Sequence, residues 1–252
     1  MSAERSATLR LLSYNIHVGT RPEHYGHYLT RAWRHALPGA GMHETLDAMA
    51  ELMRDYDFVA IQEADAGSLR TRFVNQLEYL AARAGFAHAG HVVTRDLRPI
   101  ARHALGFLSR LPPLRRHDHV LPGRIPGRRA LSVQLGPEAG GLNLLIAHLS
   151  LGAADRHRQL DYLAQLVSHA APTVLLGDLN CEARSLREHG ALAREGFWIP
   201  HATAATFPSW KPRRGLDHIL TTPQVAVQRL SPLPHRYSDH LALGAEVSIP
   251  LA

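Results

Sequence analysis

Polar residues of a few types recur in this sequence where an apolar stretch runs out. Asn15 follows the stretch 9–14, Glu63 follows 58–61, His148 follows 142–147, and Asp178 with Asn180 closes 173–180. Near the C-terminus stand Leu216-Asp217-His218-Ile219 and Ser238-Asp239-His240. A strand buried on both faces has no use for a carboxylate, so an Asp placed where the strand ends projects into a cleft. Asp178 and Asn180, two residues apart, point the same way if their backbone is extended, putting an anion and a neutral amide on one wall. An Asn amide such as that of Asn15 can accept from a metal-bound water or donate to a phosphate oxygen. Gly177-Asp178-Leu179-Asn180 alone reads as a turn before it reads as a site, because Gly, Asp and Asn are common turn formers. Several buried strands that each deliver one polar group describe a pocket.

The elements that must carry these groups alternate between strand and helix. Residues 9–15 read as the first strand. Residues 44–55 form an amphipathic helix with Leu46, Met49, Ala50 and Met53 inward, leading into the strand that ends at Glu63. Residues 70–84 read as a second helix with Phe73, Leu77, Leu80 and Ala81 inward and Gly85 as its stop. Residues 112–126, rich in Pro and Arg, are expected to be loop. Residues 130–135 and 142–149 form a hairpin across Pro137-Glu138-Ala139-Gly140-Gly141. A third helix spans 153–170 with Leu160, Leu163, Leu166 and Val167 buried, and 182–200 read as a short helix followed by loop. Residues 20–41 are an insertion whose stretch 27–37 places Leu29, Trp33 and Leu37 on one helical face, as a surface helix or as a lid beside the site. This order implies layered α/β packing.

A chain of 252 residues with 45% hydrophobic content can build one domain with a substantial core, here residues 9–250 after a flexible N-terminus of residues 1–8. No apolar run approaches the ~20 residues of a membrane span, and the N-terminus lacks the apolar region of a signal peptide. The expectation is a cytoplasmic monomer. The single Cys181 excludes an internal disulfide and a zinc site of several thiolates. Its place beside carboxylates disfavours the thiolate, so it reads as a bystander. The formal charge of +6 suits phosphate-bearing partners, nucleic acid or anionic lipid head groups, although the basic residues are nearly all Arg. With 18 His in the chain, each His assignment needs more than its presence.

The ordered set Tyr14-Asn15-Ile16, Ile61-Gln62-Glu63, Ala147-His148-Leu149, Gly177-Asp178-Leu179-Asn180, Leu216-Asp217-His218-Ile219 and Ser238-Asp239-His240 resembles the endonuclease/exonuclease/phosphatase superfamily, from about Leu9 to Val247. The resemblance implies an α/β (α+β) fold of the DNase I type. That is a four-layer sandwich in which two mainly antiparallel mixed β-sheets pack face to face with helices outside. It implies a phosphoesterase acting on nucleic acid, phospholipid or a small phosphodiester, with Mg2+ or Mn2+ as cofactor. Glu63, with Asn15 and Asp239 nearby, is then the metal site. Asp178 activates water, Asn180 holds phosphate or water, His240 positioned by Asp217 donates to the phosphoryl oxygen, and His148 bonds a nonbridging oxygen. The segment Gly106-Phe107-Leu108-Ser109-Arg110 resembles a family strand in which an Asn that lines the site is replaced here by Leu105; His103 is the candidate substitute. Arg110, His17 and the rim residues Trp210, Arg213 and Arg214 complete the expected substrate contacts. Leu105 also supports the competing expectation, a weak or inactive member that binds a phosphate ligand or nucleic acid.

Overall fold

The computed structural model describes residues 5–20, 41–200 and 204–251. The expected lid helix at 27–37 lies outside the described residues. In chain order the elements are β1 (Ser6–Asn15), α1 (Met42–Met53), β2 (Phe58–Asp65), α2 (Gln76–Ala84), β3 (His88–Leu97), β4 (Ala101–Ser109), β5 (Pro113–Val120), β6 (Arg129–Leu135), β7 (Asn143–His148), α3 (Ala153–Gln165), β8 (Thr173–Asp178), α4 (Ala183–Arg187), α5 (Gly190–Arg194), β9 (Asp217–Thr221), β10 (Ala226–Pro232) and β11 (Leu243–Pro250). One sheet has the order β10-β11-β1-β2-β4-β3 and the other β5-β6-β7-β8-β9.

Three apolar layers explain why the central strands read as unbroken hydrophobic runs. Leu9 and Leu11 of β1, Phe58 and Ala60 of β2, Leu144 and Ile146 of β7, and Val174 and Leu176 of β8 fill the space between the sheets. The alternate residues of the first sheet, Leu12, Tyr14, Val59 and Ile61, meet α1 and α2 outside it. Those of the second, Leu145, Ala147 and Leu175, meet α3 and the short helices. A strand covered on both faces has no polar side to alternate with. The result is the DNase I-like four-layer sandwich.

Each sheet holds one parallel pair, β1 with β2 and β7 with β8, and every other pairing is antiparallel. Parallel neighbours need a crossover, supplied by the outer helices, and their C-terminal ends therefore lie side by side. Asn15 and Gln62 are the last register partners of one such pair, and His148 and Asp178 are register partners at the end of the other. Glu63 is the next residue of a strand that runs on to Asp65 and does not end at Glu63 as expected. β9 runs back along β8 so that Asp217 faces Asp178.

Several local expectations are corrected. Residues 113–120 are strand β5 and not loop; it pairs with β6 at the sheet edge, where Pro113 costs no ladder bond and Arg115, Arg116 and His117 face water. The second helix starts at Gln76, capped by the Asn75 side chain, and not at Arg70. What captures residues 68–71 is the buried Asp65 carboxylate, which accepts from Ser68 Oγ (2.8 Å), Arg70 Nε (2.6 Å) and Thr71 Oγ1 (3.2 Å). Phe73, expected inward, is 67% exposed. The third helix stops at Gln165, two short helices occupy 183–194, and β1 begins at Ser6, three residues before its expected start. The hairpin of β6 and β7 forms as expected. No described helix is long and apolar enough to cross a membrane.

Gly177 adopts φ +147°, and a methyl group there would overlap the Ala147 carbonyl of the neighbouring strand. Gly177→Ala should cost about 3 kcal/mol or more, read as a fall of about 10 °C in Tm by thermal unfolding. An unchanged Tm would show that the sheet relaxes around the added group.

Candidate active site

One amide joins the ends of the two sheets. Asn15 Nδ2 donates to Glu63 Oε1 at 3.0 Å within its own sheet and to Asp178 Oδ2 at 3.1 Å across the sandwich. Glu63 sits at an irregularity in β2, where the register with β4 shifts between Ile61 and Ala64 and its own φ is +55°. A bulge re-aims a side chain that a regular ladder would direct elsewhere. Asp178 Oδ2 is a hub: besides the Asn15 amide, His148 Nε2 lies 3.6 Å away and His240 Nε2 3.8 Å away. His148 Nε2 is also 3.7 Å from Glu63 Oε1. The other Asp178 oxygen accepts the Asn180 backbone N–H at 3.0 Å.

His240 is held from behind. Its Nδ1 is 2.8 Å from Asp217 Oδ2, which also accepts the Thr206 hydroxyl at 2.5 Å. Phe207 packs against its ring with centroids 4.9 Å apart. Ser238 Oγ donates to the Asn15 carbonyl at 2.7 Å, and Ser209 donates from its backbone to Asp239 O and from its hydroxyl to Ser238 O. The C-terminal turn is thus tied both to β1 and to the loop that carries Phe207.

These surroundings drive the ionisable groups apart. Burial raises the Asp178 carboxyl, and Asp217 and Glu63 raise it further, outweighing His240 and the Asn15 hydrogen bond, so that it is pushed up to about 7. Burial also opposes ionisation of Glu63, but His148, His17, the Asn15 amide and His240 outweigh it and bring its carboxyl down to about 2. Burial and Arg128 depress His148 to about 3, keeping it neutral. Burial pushes His240 down as well, yet the carboxylates of Asp217, Asp178 and Asp239 prevail and raise it well above the usual imidazole range.

The fold therefore brings Asn15, Glu63, His148, Asp178, Asn180, Asp217 and His240 together. Asp239 and His17 are neighbours beside them, with Oδ1 and Nδ1 3.6 Å apart. Asn180 does not share an extended backbone with Asp178; its φ is +53°, and its side-chain Nδ2 donates to Leu149 O at 2.8 Å. Arg110 is not at the site. It lies at the opposite end of β2 and β4, donating to the carbonyls of Tyr56 and Arg54 and covering the Phe86 ring. Trp210, Arg213 and Arg214 share the loop that Ser209 ties to Asp239. Arg213 is exposed and Arg214 Nε reaches Glu182 at 3.4 Å.

A cleft of about 400 Å³ opens beside Glu63 and His148 and is lined further by His103, Leu105, Arg95 and Arg128. His103 Nδ1 lies 3.4 Å from Arg70 Nη2. Arg128 is the residue that reading the sequence missed. Its Nη1 donates to His148 O at 3.3 Å, and burial weakens its hold on its proton against the pull of Glu63 and Asp178. Only its position just before the strand that pairs with β7 could have drawn attention to it.

The donors suit a hard divalent cation. Glu63, His148 and Asp178 offer ligand atoms within 4.8 Å of one another, as do Asp178, Asp217 and His240. Glu63 Oε2 accepts no hydrogen bond among the described residues, and the side chain is 32% exposed, so one carboxylate oxygen faces the cleft.

The profile of the Endonuclease/Exonuclease/phosphatase family matches residues 12–240. The chain belongs to that family. Among curated proteins no sequence matches. Among solved structures, an endonuclease/exonuclease/phosphatase from Beutenbergia cavernae is similar at 21% identity and TM-score 0.73, over 96% of this chain and 72% of that one. D. rerio TDP2 complexed with a single-strand DNA product is similar at 17% identity and TM-score 0.70, over 96% and 99%. A Bacteroides thetaiotaomicron mannosyl-6-phosphatase is similar at 16% identity and TM-score 0.67, over 95% and 99%. At these identities the likeness is one of fold.

Cys181 follows the Asp178 cluster in sequence but packs into the apolar layer beneath α3, and burial pushes its thiol up to about 11. The native protein at pH 8 should release no chromophore from Ellman's reagent within minutes, and the unfolded protein one equivalent. A fast native reaction would place the thiol in the cleft.

Proposed function

We propose that this protein is a phosphoesterase that uses Mg2+, with Mn2+ as a substitute, to hydrolyse a phosphodiester or phosphomonoester by attack of water. The observation that carries the reading is the single Asp178 oxygen within 4 Å of both a neutral and a protonated imidazole. Asp178 as base and His240 as acid, held within 4 Å of each other in environments that separate their proton affinities, are the arrangement proton transfer needs. The solved structures of a DNA-product complex and of a sugar phosphatase on the same fold support the substrate class.

Phosphate esters resist water because the nucleophile meets a shielded anion and the leaving alkoxide is poor. When bound, the divalent ion neutralises phosphoryl charge and stabilises the leaving oxygen. Glu63 would hold it, with Asn15 and Asp239 beside. Asp178, its carboxyl raised by burial, orients the water and takes its proton, with Asn180 fixing the turn through its backbone N–H. His240, charged and aligned by Asp217, donates to the phosphoryl oxygen as negative charge accumulates there. His148 and the Arg128 guanidinium line the side on which the remaining phosphate oxygens lie.

Asp178→Asn and His240→Ala should each lower kcat on bis-p-nitrophenyl phosphate by about 10³-fold or more with little change in KM. Turnover within tenfold of the parent in either variant would remove that residue from its role. Glu63→Gln should shift the Mg2+ activation curve to at least about tenfold higher concentration. A superimposable titration would assign the ion to other ligands.

A further inference from the structure

We infer that the mouth of the cleft is a membrane-docking surface, through which the phosphate ester is presented as the headgroup of an anionic phospholipid. The chemistry assumed rests on the phosphoesterase reading; the docking rests on the side chains around the mouth.

Two lips, one running on from the cleft-lining Arg95 and His103 and the other lining the cleft directly, carry large apolar residues that the core does not take up. On one, the turn joining β3 to β4 exposes Leu97 and Ile100, and the 68–73 turn beside it exposes Leu69 and Phe73. The two turns are fastened together: Leu69 N donates to Pro99 O at 2.8 Å and Ser68 Oγ to Ile100 O at 3.0 Å. On the other lip Ile125 and Leu151, 75% and 79% exposed, line the cleft itself. The lips meet where Gly127 comes so close to the Thr94 carbonyl that a methyl there would stand 2.6 Å from the oxygen. Large apolar side chains left exposed in groups beside a cleft mark a surface that another phase or molecule covers.

Charge and side-chain type choose the occupant. Arg72, Arg95 and Arg124 are exposed on these lips, and none of their guanidinium groups has a carboxylate partner among the described residues, Arg124 meeting Asp155 only through its backbone N–H. Arg95 lines the cleft, and Arg128 stands further in beside Glu63, so cationic groups run from the mouth to the reacting centre. Aliphatic side chains among unpaired guanidinium groups suit an acyl-chain boundary beneath anionic head groups. Single-stranded nucleic acid is bound on stacking aromatic platforms, and among the six apolar residues only Phe73 is aromatic. A protein seated across both lips would cover the entrance, whereas a bilayer delivers substrate into it.

The test is cosedimentation of the full chain with vesicles of phosphatidylcholine containing about one-third phosphatidylglycerol, beside pure phosphatidylcholine vesicles and a single-stranded oligonucleotide. The parent should partition onto the anionic vesicles and leave them as salt rises. Phe73→Ser with Ile100→Ser, both away from the reacting groups, should weaken that partition about tenfold while hydrolysis of soluble bis-p-nitrophenyl phosphate stays at the parent level. A parent that remains in the supernatant with anionic vesicles overturns the inference, as does a double variant that sediments like the parent. Loss of oligonucleotide binding in the variant with vesicle binding intact overturns it in favour of nucleic acid. Vesicle binding by a protein that never cleaves the soluble ester would instead discard the chemistry and leave the docking standing.

Discussion

The architecture turns on holding two carboxylates of separate sheets on the one nitrogen of a single amide. Like charges at this spacing repel strongly in a buried setting, and neither strand end has a reason to tolerate the other without a shared donor. Asn15 supplies that donor, and its strand lies in the middle of its sheet, so the amide cannot drift without moving the inter-sheet core. Burial makes the group rigid and also makes its loss costly, because both carboxylate oxygens would be left without it.

Around this pair, two histidines of the same intrinsic basicity are sent in opposite directions. His148 has a guanidinium behind it and little water, which favours the neutral ring. His240 has Asp217 behind it, and that carboxylate keeps a second buried oxygen, Oδ1, without a hydrogen-bond partner among the described residues. An unsatisfied carboxylate oxygen is expensive, and a charged imidazole next to it lowers the expense. The division of labour between the rings is therefore set by the charged side chain that stands against each, Arg128 for His148 and Asp217 for His240.

Strand ends were legible in the sequence because a strand buried on both faces admits no polar residue until it leaves the core; Asn15, Glu63, His148 and Asp178 all announced themselves this way. The parallel pairs then follow from the intervening helices. Less legible were features decided by contacts distant in sequence. Edge strand β5 looks like loop because its Arg and His face solvent, and residues 70–75 looked helical because the pull of the buried Asp65 on their side chains has no local signature. Arg110 misled since a strand motif does not say which end of the sheet its last residue occupies. Arg128 went unseen because one arginine in an arginine-rich chain carries no signal until β6 and β7 pair.

The place of β1 in its sheet has a consequence for how the molecule comes into being. Its neighbours are β2, made soon after it, and β11, the last of the described strands. Throughout translation one flank of the earliest strand stays unpaired, an open hydrogen-bonding edge of mostly apolar sequence. Closing it demands the longest loop in the chain and brings the Ser238 clasp into place in the same event. The working arrangement at Asn15 thus waits on the segment that carries Ser238 and β11, because neither the clasp nor that flank of β1 can close before it is made.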